Sequence, residues 1–286
     1  MADFGSPVSR PMIAASLALT LFLAPFSLSA PTSQTNALPV ASARPASDDE
    51  VNPTHLVAQR LTCVFETGHS QLSTDYIENL GDGRGYTCGW AGFTTADEEV
   101  VECVEAYTRR LPGNPLAPLL PELRRLQAGA SDDVSRLDEA GFPALWAQAS
   151  KSDQFNQVYA GVVHGIFGEP TLQHVRQLGL QSPVGYAILF DSCIQHGNGS
   201  DPDSLPSMIE RTRQTAGEPG ADETAWLLAF LETRRQTLLH PHNLKTQDEW
   251  SRSVSRVDAL SLIAKENPQL QLPLRVKSRE HDEEIN

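Results

Sequence analysis

The run QSPVGYAILFDSCIQH, residues 181–196, is strongly apolar around the whole circumference of a helix, with no polar face to offer solvent. Such a helix is stable in water only when other elements surround it. The run therefore predicts a buried central helix in a mainly helical fold. The same run carries Asp191, and a carboxylate in that setting needs a cationic partner. Two later helical segments offer one. DETAWLLAFLETRRQTLL (222–239) carries Arg234 beside Arg235, and SVSRVDALSLIAKE (253–266) carries Arg256. Taken singly, each arginine reads at least as well as a solvated surface residue.

A second stretch, Glu66 to Phe93, places two acids on different elements. Residues 54–67 have apolar positions at Leu56, Val57, Leu61, Val64 and Phe65, a helical spacing, and Gly68 stands where a helix stops. Glu66 then falls on the last turn, where the negative end of the helix dipole disfavours its charged form. That suits a general acid better than a structural glutamate. Residues 76–95 read as short strands around the turn Gly81-Asp82-Gly83-Arg84-Gly85. Two carboxylates so arranged can face each other across a cleft, as glycoside hydrolysis requires. The competing readings are an exposed helix-end glutamate and a plain hairpin turn.

Further helices are expected over residues 98–110, at PELRRLQAG, around Leu145-Trp146, and from Phe155 to Val163. Asp97, Glu98 and Glu99 open the first of these, as the helix dipole favours. The charged C-terminal run SREHDEEIN reads as a frayed tail. The fold class is mainly α (α+β), with a small antiparallel sheet near residues 76–95.

The 286 residues carry a formal net charge of -14, with no basic stripe to neutralise phosphates, which argues against a nucleic-acid partner. The same balance suits a cationic substrate. Residues 12–29 form an uncharged apolar run after Arg10, Ala41-Ser42-Ala43 matches a cleavage site, and Ser27-Leu28-Ser29 offers an earlier one. Residues 1–43 are thus expected to be a secretory signal and leader, 44–52 a flexible linker, and 53–286 a single domain. No membrane association is expected once the signal is removed. In a secreted chain, Cys63, Cys88, Cys103 and Cys193 allow three disulfide pairings. A bridge from Cys63 to Cys88 would staple the first helix to the following strand. Their spacing does not suggest a zinc site.

The string YIENLGDGRGYTCGWAGFTT closely resembles the glycoside hydrolase family 46 chitosanases of the secreted bacterial type. The resemblance extends through EVVECVEAYT, LPELRRL, FDSCIQHGNGSDPDS, LETRR and DEWSRSVSRVDALSLIAKEN. It implies a lysozyme-like fold, with two helical lobes joined by a long helix and a three-stranded sheet beside the cleft. It also implies an endo-acting, inverting hydrolase of chitosan, the β-1,4-linked glucosamine polymer, working as a monomer without metal or organic cofactor. Glu66 matches the general acid, Asp82 the general base and Thr87 the threonine that helps hold the water. Asp191, Arg234 and Arg256 match a buried charge network, and Arg84, Gly92, Glu99 and His196 match substrate-binding positions. Many members have aspartate where this chain has Glu99, and bacterial relatives carry a His-Asp pair in place of Leu244-Lys245. The other readings are a related glycosidase acting on partly acetylated chitosan or a mixed glucan, and a non-catalytic carbohydrate-binding protein.

Overall fold

A computed structural model describes residues 53–286, the side chains of 245 and 249 excepted. The expected signal, leader and linker lie outside the described residues. Among the described residues, no helix is long and apolar enough to cross a membrane.

The apolar run over residues 181–196 forms α8 (Pro183–His196), in which every residue from Val184 to His196 is buried. Ser182 caps it, its hydroxyl accepting from the Gly185 N–H at 3.1 Å. Against α8 lies α1 (Pro53–Thr67), and α12 (Val254–Glu266) also touches it. Between α8 and α12 in the chain, α10 (Glu223–Leu239) packs on both α12 and α9 (Leu205–Ala216). These helices, with the short α11 (Gln247–Arg252) against α10 and α12, make one lobe.

In the other lobe, α2 (Glu98–Arg110) packs on α3 (Leu120–Gly129) and α6 (Asp153–Val163). The short helices α4 (Ser135–Glu139) and α5 (Phe142–Ala149) complete it. Trp146 of α5 is fully enclosed, and its indole N–H donates to the Thr74 carbonyl at 2.8 Å. From Asp153 to Leu178 the chain is helical without a break, through α6, a π turn at His164–Gly168 and α7 (Glu169–Leu178). This rod touches α2 at one end and α8 at the other, so it is the helix that joins the lobes. Pro170 accounts for the wide turn: its ring has no N–H to give and would collide with the carbonyl four residues back in a regular α-helix.

The sheet is antiparallel in the order β1 (Ile77–Asn79), β2 (Tyr86–Cys88), β3 (Phe93–Thr94). Thr87 sits opposite Glu78 on one side and Thr94 on the other. At the entry to β2 stands Gly85, with φ +73°, and a Cβ there would lie 2.3 Å from the Thr95 hydroxyl. Only glycine fits that approach.

Two expectations are corrected. The C-terminal run is a strand, β5 (Asp282–Ile285), paired antiparallel with β4 (Leu274–Lys277). Its charges lie on the solvent side, while Leu274, Val276 and Ile285 are buried. That period-two pattern is short enough to be masked by the charge around it. Arg60 of α1 also donates to the Asn286 carbonyl at 2.7 Å, and Ser70 donates to Glu283 at 3.2 Å. The four cysteines are unpaired and fully buried, packing as small apolar side chains. Cys63 donates to the Gln71 carbonyl at 3.3 Å and does not bridge to Cys88.

Candidate active site

Glu66 occupies the last turn of α1, as its spacing predicts, with Gly68 closing the helix at φ +83° and donating to the Val64 carbonyl at 2.9 Å. The glutamate is only 4% exposed. Its Oε1 accepts from Arg256 Nη1 at 2.7 Å. The rest of the Arg256 guanidinium grips Asp191, Nε at 2.9 Å and Nη2 at 2.7 Å, and its Cζ lies 5.0 Å from the Phe65 ring centre. Asp191 also accepts from Arg234 Nη1 at 2.7 Å. The cations demanded by a buried carboxylate on α8 therefore come from α10 and α12. The neighbouring Arg235 faces outward and pairs with Glu232 and Asp258.

Two effects compete in this cluster. Burial pushes the Glu66 carboxyl above the ordinary glutamate range, and Arg256 opposes it without cancelling it. Burial would also raise Asp191, but Arg256 and Arg234 together outweigh it and hold the group ionised, below its ordinary value. Arg234, enclosed and next to a second guanidinium, is brought down to about 10. At neutral pH both arginines and Asp191 are charged.

Asp82 lies in the β1–β2 turn, its side chain 27% exposed. Its Oδ1 accepts from the backbone N–H of Arg84 at 3.1 Å, and Oδ2 accepts from Arg84 Nε at 3.0 Å and Nη2 at 2.6 Å. The glycines of GDGRG let the turn fold back so that one arginine holds both oxygens. Close by, Thr87 on the central strand is fully buried and its hydroxyl has no partner among the described residues. Gly92 makes the β2–β3 turn at φ +70°.

Glu99, in the first turn of α2, is 9% exposed and its Oε2 has no partner among the described residues. Burial and then the nearby Asp97 push its carboxyl up to about 8, against the pull of Arg84. Asp97, also raised by burial, accepts from the Thr94 hydroxyl at 2.6 Å. Capping therefore does not explain Glu99, because its charge is turned inward.

The structure thus gathers the expected residues into two groups. Glu66, Asp191, Arg234 and Arg256 share one buried network, while Asp82, Arg84, Thr87, Gly92 and Glu99 lie on or beside the sheet. His196 joins the first group. It is fully enclosed, with Nε2 accepting from Arg234 Nε at 3.3 Å and its ring edge-on to Trp250. Gln195, which sequence reasoning passed over, accepts from Arg234 Nη2. Its only signal was a position one turn beyond Asp191 on an otherwise apolar helix.

The family model for glycosyl hydrolase family 46 matches residues 60–274. A chitosanase of Bacillus subtilis strain 168 is 43% identical over 228 residues, which are 78% of this chain and 82% of that protein. Among solved structures, a native chitosanase from Bacillus subtilis MY002 superposes with a TM-score of 0.76 at 42% identity, covering 82% of this chain and 98% of the other. A Gynuella sunshinyii family 46 chitosanase in complex with chitotetraose gives 0.75 at 38% identity, covering 82% and 97%. The lysozyme-like fold follows from these likenesses, and the chain belongs to glycosyl hydrolase family 46.

Proposed function

We propose that the protein is a secreted, monomeric endo-chitosanase that hydrolyses β-1,4 bonds between glucosamine units with inversion, using Glu66 as acid and Asp82 as base. The observation that carries this reading is the contrast between the two carboxylates. Glu66 is enclosed and its carboxyl is raised, so it can hold a proton for the glycosidic oxygen. Asp82 is partly exposed and gripped by Arg84, so its carboxyl is held in a fixed orientation and open to water.

In the reaction, Glu66 gives its proton to the glycosidic oxygen as the C1–O bond breaks. Asp82 takes a proton from a water whose oxygen attacks C1 from the opposite face. Inversion of this kind uses carboxyl groups roughly 6.5–9.5 Å apart, leaving space for that water. The unpartnered Thr87 hydroxyl is available to help hold it. When Glu66 becomes a carboxylate, Arg256 is already hydrogen-bonded to it and no reorganisation is needed. Proton exchange with solvent then resets both acids. Two carboxylates and a water complete this chemistry.

Substrate choice follows from charge. Glucosamine units are cationic in mildly acidic solution, and a chain of net charge -14 draws them in. Glu99 offers a buried, unpartnered oxygen to a substrate ammonium, and pairing there would favour its ionised form. Related proteins support the substrate class: one neighbour, a Bacillus subtilis MY002 mutant chitosanase, was solved complexed with 6 GlcN. Secretion rests on the apolar run 12–29.

The test is viscosity loss of highly deacetylated chitosan. The wild type should thin it rapidly, and Glu66→Gln should not while still binding glucosamine oligomers. Near-normal thinning by the variant would refute the acid assignment.

A further inference from the structure

Arg234 is the innermost charge of the buried network, with no exposure, and all three sides of its guanidinium are occupied. Nη1 donates to Asp191 at 2.7 Å, Nη2 donates to Gln195 and Nε donates to His196 at 3.3 Å. All three acceptors come from α8, at positions one turn apart or adjacent. Two of them are neutral. An imidazole nitrogen that accepts from an arginine carries no proton, so the proton of His196 is on Nδ1 and the ring is uncharged. Gln195 is 1% exposed and its Nε2 has no partner among the described residues. An amide held in place with its NH2 unsatisfied is there for its oxygen.

The charge count shows why neutrality matters. The network contains two arginines, Asp191 and Glu66. With Glu66 protonated it carries one excess positive charge, and with Glu66 ionised it is neutral. Had either neutral acceptor been a carboxylate, the network would instead be neutral with Glu66 protonated and negative after proton loss. We propose that Gln195 and His196 are positioning residues that hold Arg234 without adding negative charge, and thereby set how readily Glu66 releases its proton. This rests on Glu66 being the acid.

The groups facing the network are Glu66 on α1, Asp191 and His196 on α8, Arg234 on α10 and Arg256 on α12, with Arg211 of α9 acting on His196 from further off. Cys63, one turn before Glu66, is a thiol that burial pushes up to about 11, so it stays neutral over the working range.

The test introduces the missing charge. In Gln195→Glu, the added carboxylate favours the protonated form of Glu66, so the alkaline limb of kcat/KM for a glucosamine hexamer moves to higher pH. A unit charge roughly 10 Å away at an effective dielectric of about 20 implies a displacement of about one pH unit. Titration of the substrate amines is common to both enzymes and does not affect the difference. His196→Glu makes the same test should Gln195→Glu fail to fold. A second readout is the 13C titration of the Glu66 side chain, its signal assigned by its loss in Glu66→Gln, which reports the proton directly without turnover.

An upward displacement in both readouts supports the inference. A lower Tm with the limb and the 13C midpoint unmoved would show that the two residues are merely structural and would overturn it. Substantial turnover by Glu66→Gln would instead refute the acid assignment, while the 13C midpoint would still decide the electrostatic role of Gln195.

Discussion

Replacing Glu99 by glutamine keeps the shape of the side chain and removes its ability to ionise. In the wild type the folded protein holds this carboxyl at about 8, against an ordinary 4.5. Between those values the folded chain keeps a proton that the unfolded chain releases, so wild-type stability falls as pH rises from about 4.5 to 8. At 1.36 kcal/mol per pH unit, the penalty is near zero at pH 4 and about 3 kcal/mol at pH 7. Glutamine carries no such penalty. Urea unfolding at pH 4, 5.5 and 7 should therefore show Glu99→Gln gaining on the wild type by about 3 kcal/mol across the series. Binding should change in the opposite sense. Losing a charge-assisted bond to a substrate ammonium costs about 1.5–3 kcal/mol, roughly a 10- to 100-fold rise in KM, with kcat much less affected. A stability difference that is constant with pH would refute the buried-acid argument, and an unchanged KM would refute the amine-gripping role.

Three further outcomes are expected. Arg256→Met strips Glu66 of its cation and Asp191 of one of two, and should cost about 3–5 kcal/mol in urea unfolding together with most of the turnover. A thiol reagent should find no reactive cysteine in the native protein and four in denaturant, and reductant should leave Tm unchanged, because the four thiols are buried and unpaired. Deleting residues 274–286 removes three buried apolar side chains, each contributing about 1.5–3 kcal/mol, and should lower Tm by several degrees or more.

Much of this protein was legible in its sequence because its strongest signals are periodic. The all-round apolar run announced α8, and the Glu98–Arg110 spacing gave α2 with the same ends. The need of Asp191 for a cation pointed to Arg234, Arg235 and Arg256; the resemblance selected Arg234 over its neighbour, and helix packing shows why, burying Arg234 and turning Arg235 outward. The resemblance identified candidate roles that periodicity alone left open, including Thr87 and the pairing of acid and base. Other features depend on three-dimensional enclosure. His196 matched a substrate-binding position, and only the fold shows that it is fully enclosed, bonded to Arg234 and packed against Trp250. By its position alone Glu99 read more readily as a helix-capping charge, and its burial shows that its carboxyl faces inward. The β4–β5 hairpin was hidden because its outward charges outnumber its inward apolar residues.

The most direct test of the central claim is the anomeric configuration of the first product. Hydrolysis of a glucosamine hexamer followed by 1H NMR should show the α-anomer appearing first, with the β-anomer growing only as the sugar mutarotates. Initial release of the β-anomer would mean a double displacement through a covalent intermediate, and would contradict an enzyme that uses Glu66 as acid and Asp82 to activate water.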